Sequence, residues 1–271
     1  MRSIKTKLII YFGALLLISC AALGLISYRI SSGALISNVN ENLPQMAKQS
    51  AKTVQSRVES QLNALEAVAA ETQISDMTNS WENKEAILKD EVQRSGHLKM
   101  DLIDKNADTK NTINEQANLK DRDYFKKAMS GEKNVSDPLL SKTLNTISII
   151  YAVPIKNGDK VVGVLTATRD GNALSDITKD ITFGKTGQSF MINKQGTTVA
   201  NTNKDKVLKS DNISEDAKKD PKLKSLADIE KKMMNGESGI GEYTYGGVSK
   251  YLGYAPVNGT NWSIAITSQK S

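Results

Sequence analysis

The sequence predicts an α+β protein with an N-terminal transmembrane helix, a long stalk helix and two tandem antiparallel-sheet modules. Three observations predict it. A run of 20 uncharged residues, 8–27, follows a basic start. Apolar residues then recur at steps of three and four from Leu35 to Ala69. Beyond them, β-branched runs broken by turn residues alternate with short helical stretches, and the scheme occurs twice. Antiparallel strands with helices segregated between them define the α+β class.

The first element is LIIYFGALLLISCAALGLIS, residues 8–27. As a helix it is about 30 Å long, the thickness of a bilayer core. Arg2, Lys5 and Lys7 precede it, which by the positive-inside rule leaves residues 1–7 as a cytoplasmic tail and everything after Arg29 outside. Two other readings stand beside the transmembrane helix of residues 8–30. One is a cleaved signal peptide, although a small-x-small cleavage site is not obvious. The other is a lipobox at Leu17-Ile18-Ser19-Cys20, although the apolar run continues past Cys20 through Leu23, Leu25 and Ile26.

The second element is the stalk helix, residues 31–72. Leu35, Val39, Leu43, Met46, Ser50, Val54, Val58, Leu62, Leu65 and Ala69 keep one narrow stripe on a helix, and Lys, Gln, Asn and Glu fill the other face. A helix over residues 35–71 spans roughly 55 Å. Pro44 marks either a kink or the first turn of the main helix.

The sheet modules come next. Residues 84–93 have helical composition, and 98–103 read as a strand ending in the turn Asp104-Lys105-Asn106. DRDYFKKAM (121–129) suits a helix stopped by Gly131. Residues 146–155 and 160–168 form a hairpin across Asn157-Gly158-Asp159, followed by a helix at 173–181. The scheme then restarts with a hairpin, 189–192 and 197–200, across Lys194-Gln195-Gly196. A helix at 223–234 closes on Asn235-Gly236. Strands follow at 239–245, 248–255 and 262–267, separated by Gly246-Gly247 and Asn258-Gly259.

Composition excludes several function classes. The net charge is +6, but Arg2, Lys5, Lys7 and Arg29 with no acid account for +4 of it; the remaining 32 basic and 30 acidic side chains leave +2. Aromatic residues are 5% of the chain and do not interleave with basic clusters, so no nucleic-acid partner is expected. A single Cys, Cys20, rules out an internal disulfide, and a single His, His97, rules out His-rich metal sites and Ser-His chemistry built without it. There is no Walker loop, H-E-x-x-H or G-x-S-x-G, so neither a catalytic constellation nor a cofactor is expected, and the protein reads as a non-enzyme. Asp104, Asn106, Asp108 and Glu115 fall at positions 1, 3, 5 and 12 of a calcium loop. Position six is Thr109 where glycine is expected, and a strand replaces the entering helix. These residues read as a polar turn, with no metal.

Candidate binding residues follow from side-chain chemistry. Arg122 presents a planar fork of donors suited to a carboxylate, with Tyr124 and Phe125 bringing aromatic faces and a hydroxyl beside it; the other reading is a surface helix in which Arg122 pairs with Asp121, Asp123 or nothing. Asp137 lies in the Ser136-Asp137-Pro138 bend, where a turn role is the default, and Tyr151 lies on a strand with either a pocket-facing or a core position open.

Several segments together carry a family resemblance: RDYF (122–125), VVGVLTATRDGNALSDI (161–177), GQSFMINKQGTTVANTN (187–203) and YLGYAPVNGTNWSIAI (251–266), behind a transmembrane helix and a long helix. The chain resembles the double Cache sensor of bacterial transmembrane receptors, above all methyl-accepting chemotaxis proteins. The resemblance covers the chain from about Leu35. It implies two stacked PAS-like modules, a membrane-distal one at 73–181 that binds a small molecule and a membrane-proximal one at 182–271. It also implies a cell-membrane location with the main body extracytoplasmic, and a homodimer through the stalk. Expected ligands are an amino acid, an amine, an organic acid or a purine. Amino-acid-binding members carry an Arg-x-Trp-Tyr pattern that Arg122, Tyr124 and Phe125 match in part. The Tyr that precedes the pattern is Ala117 here, and the later Asp falls near Thr168, with Asp170 two positions on as a substitute or as a turn residue before Gly171. The function implied is the sensory part of a chemoreceptor. The same sensor feeds histidine kinases and diguanylate cyclases, and a solute-binding lipoprotein anchored at Cys20 is the alternative from another class.

Overall fold

The computed structural model describes residues 4–184 and 187–270. Arg2 of the expected basic tail lies outside the described residues, as do the side chains of Lys5, Lys7 and Leu35. The chain divides after Asn42 into two compact units.

The first unit is helical and belongs to α1 (Ile4–Ala70). Its Leu15, Leu16, Leu17, Leu23 and Leu25 are 62–72% exposed. Among the described residues, α1 is the one helix long and apolar enough to cross a membrane. A contiguous apolar surface of this kind is unstable in water and suited to lipid. The helix runs through Cys20 without a break.

The second unit, residues 43–271, holds the rest of α1 and two sheets. Here the expected stripe is buried at Leu43, Ser50, Val54, Val58, Leu62, Leu65 and Ala69, joined by Ala47, Ala51 and Val68, while Met46 is half-buried. Each buried Leu or Val contributes roughly 1.5–3 kcal/mol. Pro44 lies inside α1 and not in its first turn, and the helix ends at Ala70. Contact with the second sheet is close enough that a Cβ on Gly253 would lie 2.5 Å from the Leu43 carbonyl oxygen, so that position accepts only glycine without a backbone shift.

A short helix α2 (Thr72–Ser75) and then α3 (Trp81–Ser95) lead into the first sheet. α3 starts where the Ser80 hydroxyl accepts from the Asn83 amide and stops at Gly96 in the left-handed conformation, φ 70°. The sheet comprises β1 (Lys99–Ile103), β2 (Thr109–Asn111), β3 (Asn134–Val135), β4 (Leu139–Leu140), β5 (Ile147–Asn157) and β6 (Lys160–Asp170). Its order is β2-β1-β6-β5-β3, with β4 also paired to β5. The β5–β6 hairpin turns at Gly158, φ 61°, as the Asn-Gly signal predicts. Helix α4 (Asp123–Met129) packs Tyr124, Phe125 and Ala128 onto Ile103, Ile150, Ala152 and Val164. It begins two residues later than expected because Arg122 keeps extended angles (φ −82°, ψ 125°).

After α5 (Ala173–Thr178), the second sheet comprises β7 (Ser189–Asn193), β8 (Thr198–Asn201), β9 (Gly239–Tyr245), β10 (Val248–Val257) and β11 (Trp262–Gln269), in the order β8-β7-β11-β10-β9. Two helices too short to show a period, α6 (Lys204–Leu208) and α7 (Ile213–Asp216), precede α8 (Lys224–Met234). α8 lays Leu226, Ile229 and Met233 on Tyr243, Leu252, Tyr254 and Ala265, and Gly241 makes room beneath Ile229.

Candidate functional site

In the first sheet, the strand register sets the site. Alternate residues of a strand share a face, so Lys99, Asp101 and Ile103 of β1 lie beside Thr168, Thr166 and Val164 of β6. Ile103 and Val164 belong to the core under α4, and the four polar residues continue the same face. All four are at most 4% exposed. Lys99 pairs with Asp101, and the Thr166 hydroxyl donates to Asp101 Oδ2 at 3.2 Å. Burying such a pair withdraws two charges from water, a penalty that attraction only partly offsets.

Arg122, Tyr124 and Thr168 meet at this cluster. With Lys99, Asp101 and Ile150 they line a small cavity of about 20 Å³, room for roughly one water. The Arg122 guanidinium donates to the Leu140 carbonyl at 3.0 Å, and its Nε–H is buried with no partner among the described residues. Burial holds the Tyr124 hydroxyl protonated, well above its usual range. The segment after β4 closes the cavity. Its Lys142 ammonium donates to Asp121 Oδ1 at 2.6 Å and to the Asn118 carbonyl at 2.9 Å. Arg122, Tyr124 and Leu139 also line an outer cleft of about 300 Å³.

The other expected residues are placed elsewhere. Phe125 is in the hydrophobic core under α4 and lines neither space. Tyr151 alternates with Ile150 and Ala152, so it faces away from the cluster, fully buried on the opposite side of β5. Asp170 ends β6 exposed to solvent, where its Oδ1 accepts from the Asn172 amide at 2.8 Å; it is a turn residue. Asp137 borders the outer cleft, but both its oxygens are engaged by the second sheet: Trp262 Nε1 donates at 2.5 Å and Asn193 Nδ2 at 2.9 Å. It is a clamp between modules and not a simple turn residue.

Sequence reasoning missed Lys99 and Asp101. The signal was present in two opposite charges two residues apart inside an apolar strand, which must share one face.

Asp104 accepts from the amides of Asn106 and Asp108 at 2.8 and 3.0 Å, the bonds of a loop closing on itself. Among the described residues no group of three or more His, Cys, Asp or Glu side chains could hold a metal ion. His97 is structural: its Nδ1 accepts from Arg169 Nε at 3.3 Å, so its proton is on Nε2. Burial, aided by the Arg169 charge, pushes it down to about 4. A larger open hollow of about 750 Å³ beside β1 and β2 includes Met77, Trp81 and Lys84. Its buried ammonium, Lys84, is already bound to the Ile74 carbonyl at 3.0 Å.

Comparisons with known proteins agree with this architecture. The chain is 23% identical over 288 aligned residues to the methyl-accepting chemotaxis protein McpA of Bacillus subtilis (strain 168), covering 98% of this chain and 39% of that protein. Among solved structures it is similar to the ligand-binding domain of the Pseudomonas fluorescens chemoreceptor CtaA in complex with L-leucine (TM-score 0.68, 17% identity, 88% of this chain and 97% of that one). It is also similar to that of the Pseudomonas aeruginosa PAO1 amino acid chemoreceptor PctB in complex with L-Arg (0.64, 20%, 86% and 96%). A third is the sensory domain of the Campylobacter jejuni chemoreceptor Tlp3 (CcmL) with isoleucine bound (0.63, 16%, 89% and 96%). The Cache domain model dCache_1 matches residues 31–271, and the chain therefore belongs to the Cache domain family.

Proposed function

We propose that this chain is the extracytoplasmic sensor of a transmembrane chemoreceptor and that its distal module, residues 73–181, binds an amino acid. The observation that carries this reading is the buried cluster of Arg122, Lys99 and Asp101 on one face of the distal sheet. A carboxylate suits the Arg122 fork, whose Nε–H is still unpaired. An ammonium group needs an acceptor, and Asp101 supplies one where the family pattern has an Asp and this chain has Thr168. In the closed cavity Lys99 takes the place of the ligand's ammonium on Asp101. The solved relatives were crystallised with L-leucine, L-Arg and isoleucine, which supports the same class.

Binding requires the 139–145 segment to open, releasing Lys142 from Asp121 and Arg122 from Leu140. The ligand shifts the equilibrium by its greater affinity for one state. In this reading, residues 8–30 anchor the chain, 31–72 form the stalk of a homodimer and 182–271 relay the shift toward the membrane. The chain spans 39% of McpA, and chemotaxis output by methyl-accepting signalling is carried over from that relative.

Calorimetric titration of the full chain in nanodiscs with a panel of L-amino acids tests the reading. At least one binds, and Arg122→Ala and Asp101→Asn each weaken it by about tenfold or more, the loss of one charge-assisted contact. If no amino acid gives heat, or both variants bind unchanged, the reading falls. Crosslinking through stalk positions Arg57 and Ser60 tests the dimer, which predicts ligand-dependent yields.

A further inference from the structure

The second sheet has a cavity of its own, about 230 Å³, under α6 and α8. It is an order of magnitude larger than the small cavity of the first sheet. Glu230 of α8, Lys206 of α6, Lys250 of β10 and the aromatic side chains Phe190, Tyr243 and Tyr245 line it. Glu230 is 1% exposed, and its Oε2 has no hydrogen-bond partner among the described residues. Lys206 is already engaged: Nζ lies 3.0 Å from Asp211 Oδ2 and 3.3 Å from the Tyr245 hydroxyl, and 5.3 Å from the centre of the Tyr245 ring. The lysine nearest in charge to Glu230 is therefore held by another acid.

A buried acceptor without a partner is destabilising, and more so when charged. Its position on the wall of a cavity able to hold a small molecule points to a ligand group as the missing partner, and the Phe190 and Tyr243 rings, which Lys206 does not cover, suit a cation.

We propose that this membrane-proximal cavity is a second ligand site, for a small molecule bearing a primary ammonium group that binds Glu230. The ammonium supplies the donor that the buried Glu230 Oε2 lacks, its aliphatic part contacts Phe190 and Tyr243, and Lys250 can receive a carboxylate at the far end of the same ligand. This site is independent of the amino-acid reading of the distal module, because none of its residues belongs to that cluster.

Burial, with Lys206 opposing and Asp211 reinforcing it, pushes the empty Glu230 carboxyl up to about 8. The groups around it are Lys206, Asp211, Tyr243, Tyr245 and Lys250. At pH 7 Glu230 is mostly protonated, and an ammonium partner favours its carboxylate, so binding releases about one proton.

The test is calorimetry on the full chain in nanodiscs, with n-butylamine, 4-aminobutyrate and butyrate as probes at pH 7 in two buffers of different ionisation enthalpy. An ammonium-bearing probe is expected to bind and butyrate is not. Binding persists in Arg122→Ala, weakens by tenfold or more in Glu230→Gln, and shows buffer-dependent heat equal to the release of about one proton. That last signature is read on the unaltered protein, so the test survives a Glu230→Gln variant that fails to fold. No heat from either amine, heat without proton release, or binding lost in Arg122→Ala but retained in Glu230→Gln would each overturn the site.

Discussion

The two sheets treat buried charge in opposite ways. The first buries Lys99 and Asp101 against each other in a space of about 20 Å³; the second leaves Glu230 with an unpartnered oxygen beside about 230 Å³. The pair is compensated within its own sheet, so each charge depends on the other. The lone Glu230 carboxyl is raised by burial, which makes the second sheet sensitive to protons.

Breaking the compensated pair has the largest expected effect. Lys99→Met leaves Asp101 buried without its cation and is expected to lower stability by about 3–5 kcal/mol in urea unfolding. Lys99→Met combined with Asp101→Leu recovers most of that loss, because no lone charge remains. A double variant as unstable as the single one would show that the strand needs the charges for packing and not for each other.

Glu230 gives the next effect, and its sign is opposite to that of a paired carboxylate. Its folded value, about 8, lies above the ordinary 4.5, so the folded state holds the proton more tightly than the unfolded chain. Its contribution is present below pH 4.5 and is lost as pH rises through 8. Glu230→Gln, facing the same Lys206, Asp211, Tyr243, Tyr245 and Lys250, removes that slope. Relative to the variant, the unaltered protein is expected to lose a few kcal/mol between pH 5 and pH 9. Thermal melts of both chains across this range check it, and parallel curves would refute it.

Much of the fold is legible because its signals are local. The apolar stripe of α1 and the Gly158 turn each lie within a few residues of what they determine. The strands β3 and β4 have two residues each, too few for alternation to appear. The site was half legible for a different reason. KMDLI alternates, and alternation reads as one face in water; yet both faces of β1 are covered, and all five residues are buried. The charges that look solvated are therefore inside. Tyr151 stays open between pocket and core for the same reason, since a strand covered on both faces gives no hint of which face holds the cavity. The Asp137 clamp could not be read at all, because Trp262 is 125 residues away.

That clamp allows the two sheets to be compared at their junction, where a buried and an exposed connection occur together. Asp137→Ala leaves the indole N–H of Trp262 and the Asn193 amide without their acceptor, both side chains being buried. An unmade buried hydrogen bond is destabilising by about 1–3 kcal/mol. The Lys204–Asp176 pair also joins the modules, at 3.0 Å, but both side chains are about half exposed. Water and salt screen it, and a double-mutant cycle on it is expected to give about 0.2–1 kcal/mol, falling toward zero in 0.5 M salt. If the sheets signal to each other through the junction, Asp137→Ala also weakens the effect of a distal ligand on stalk crosslinking, whereas Asp176→Ala leaves it intact. Equal effects from the two variants would mean that the junction transmits through general packing and not through the buried clamp.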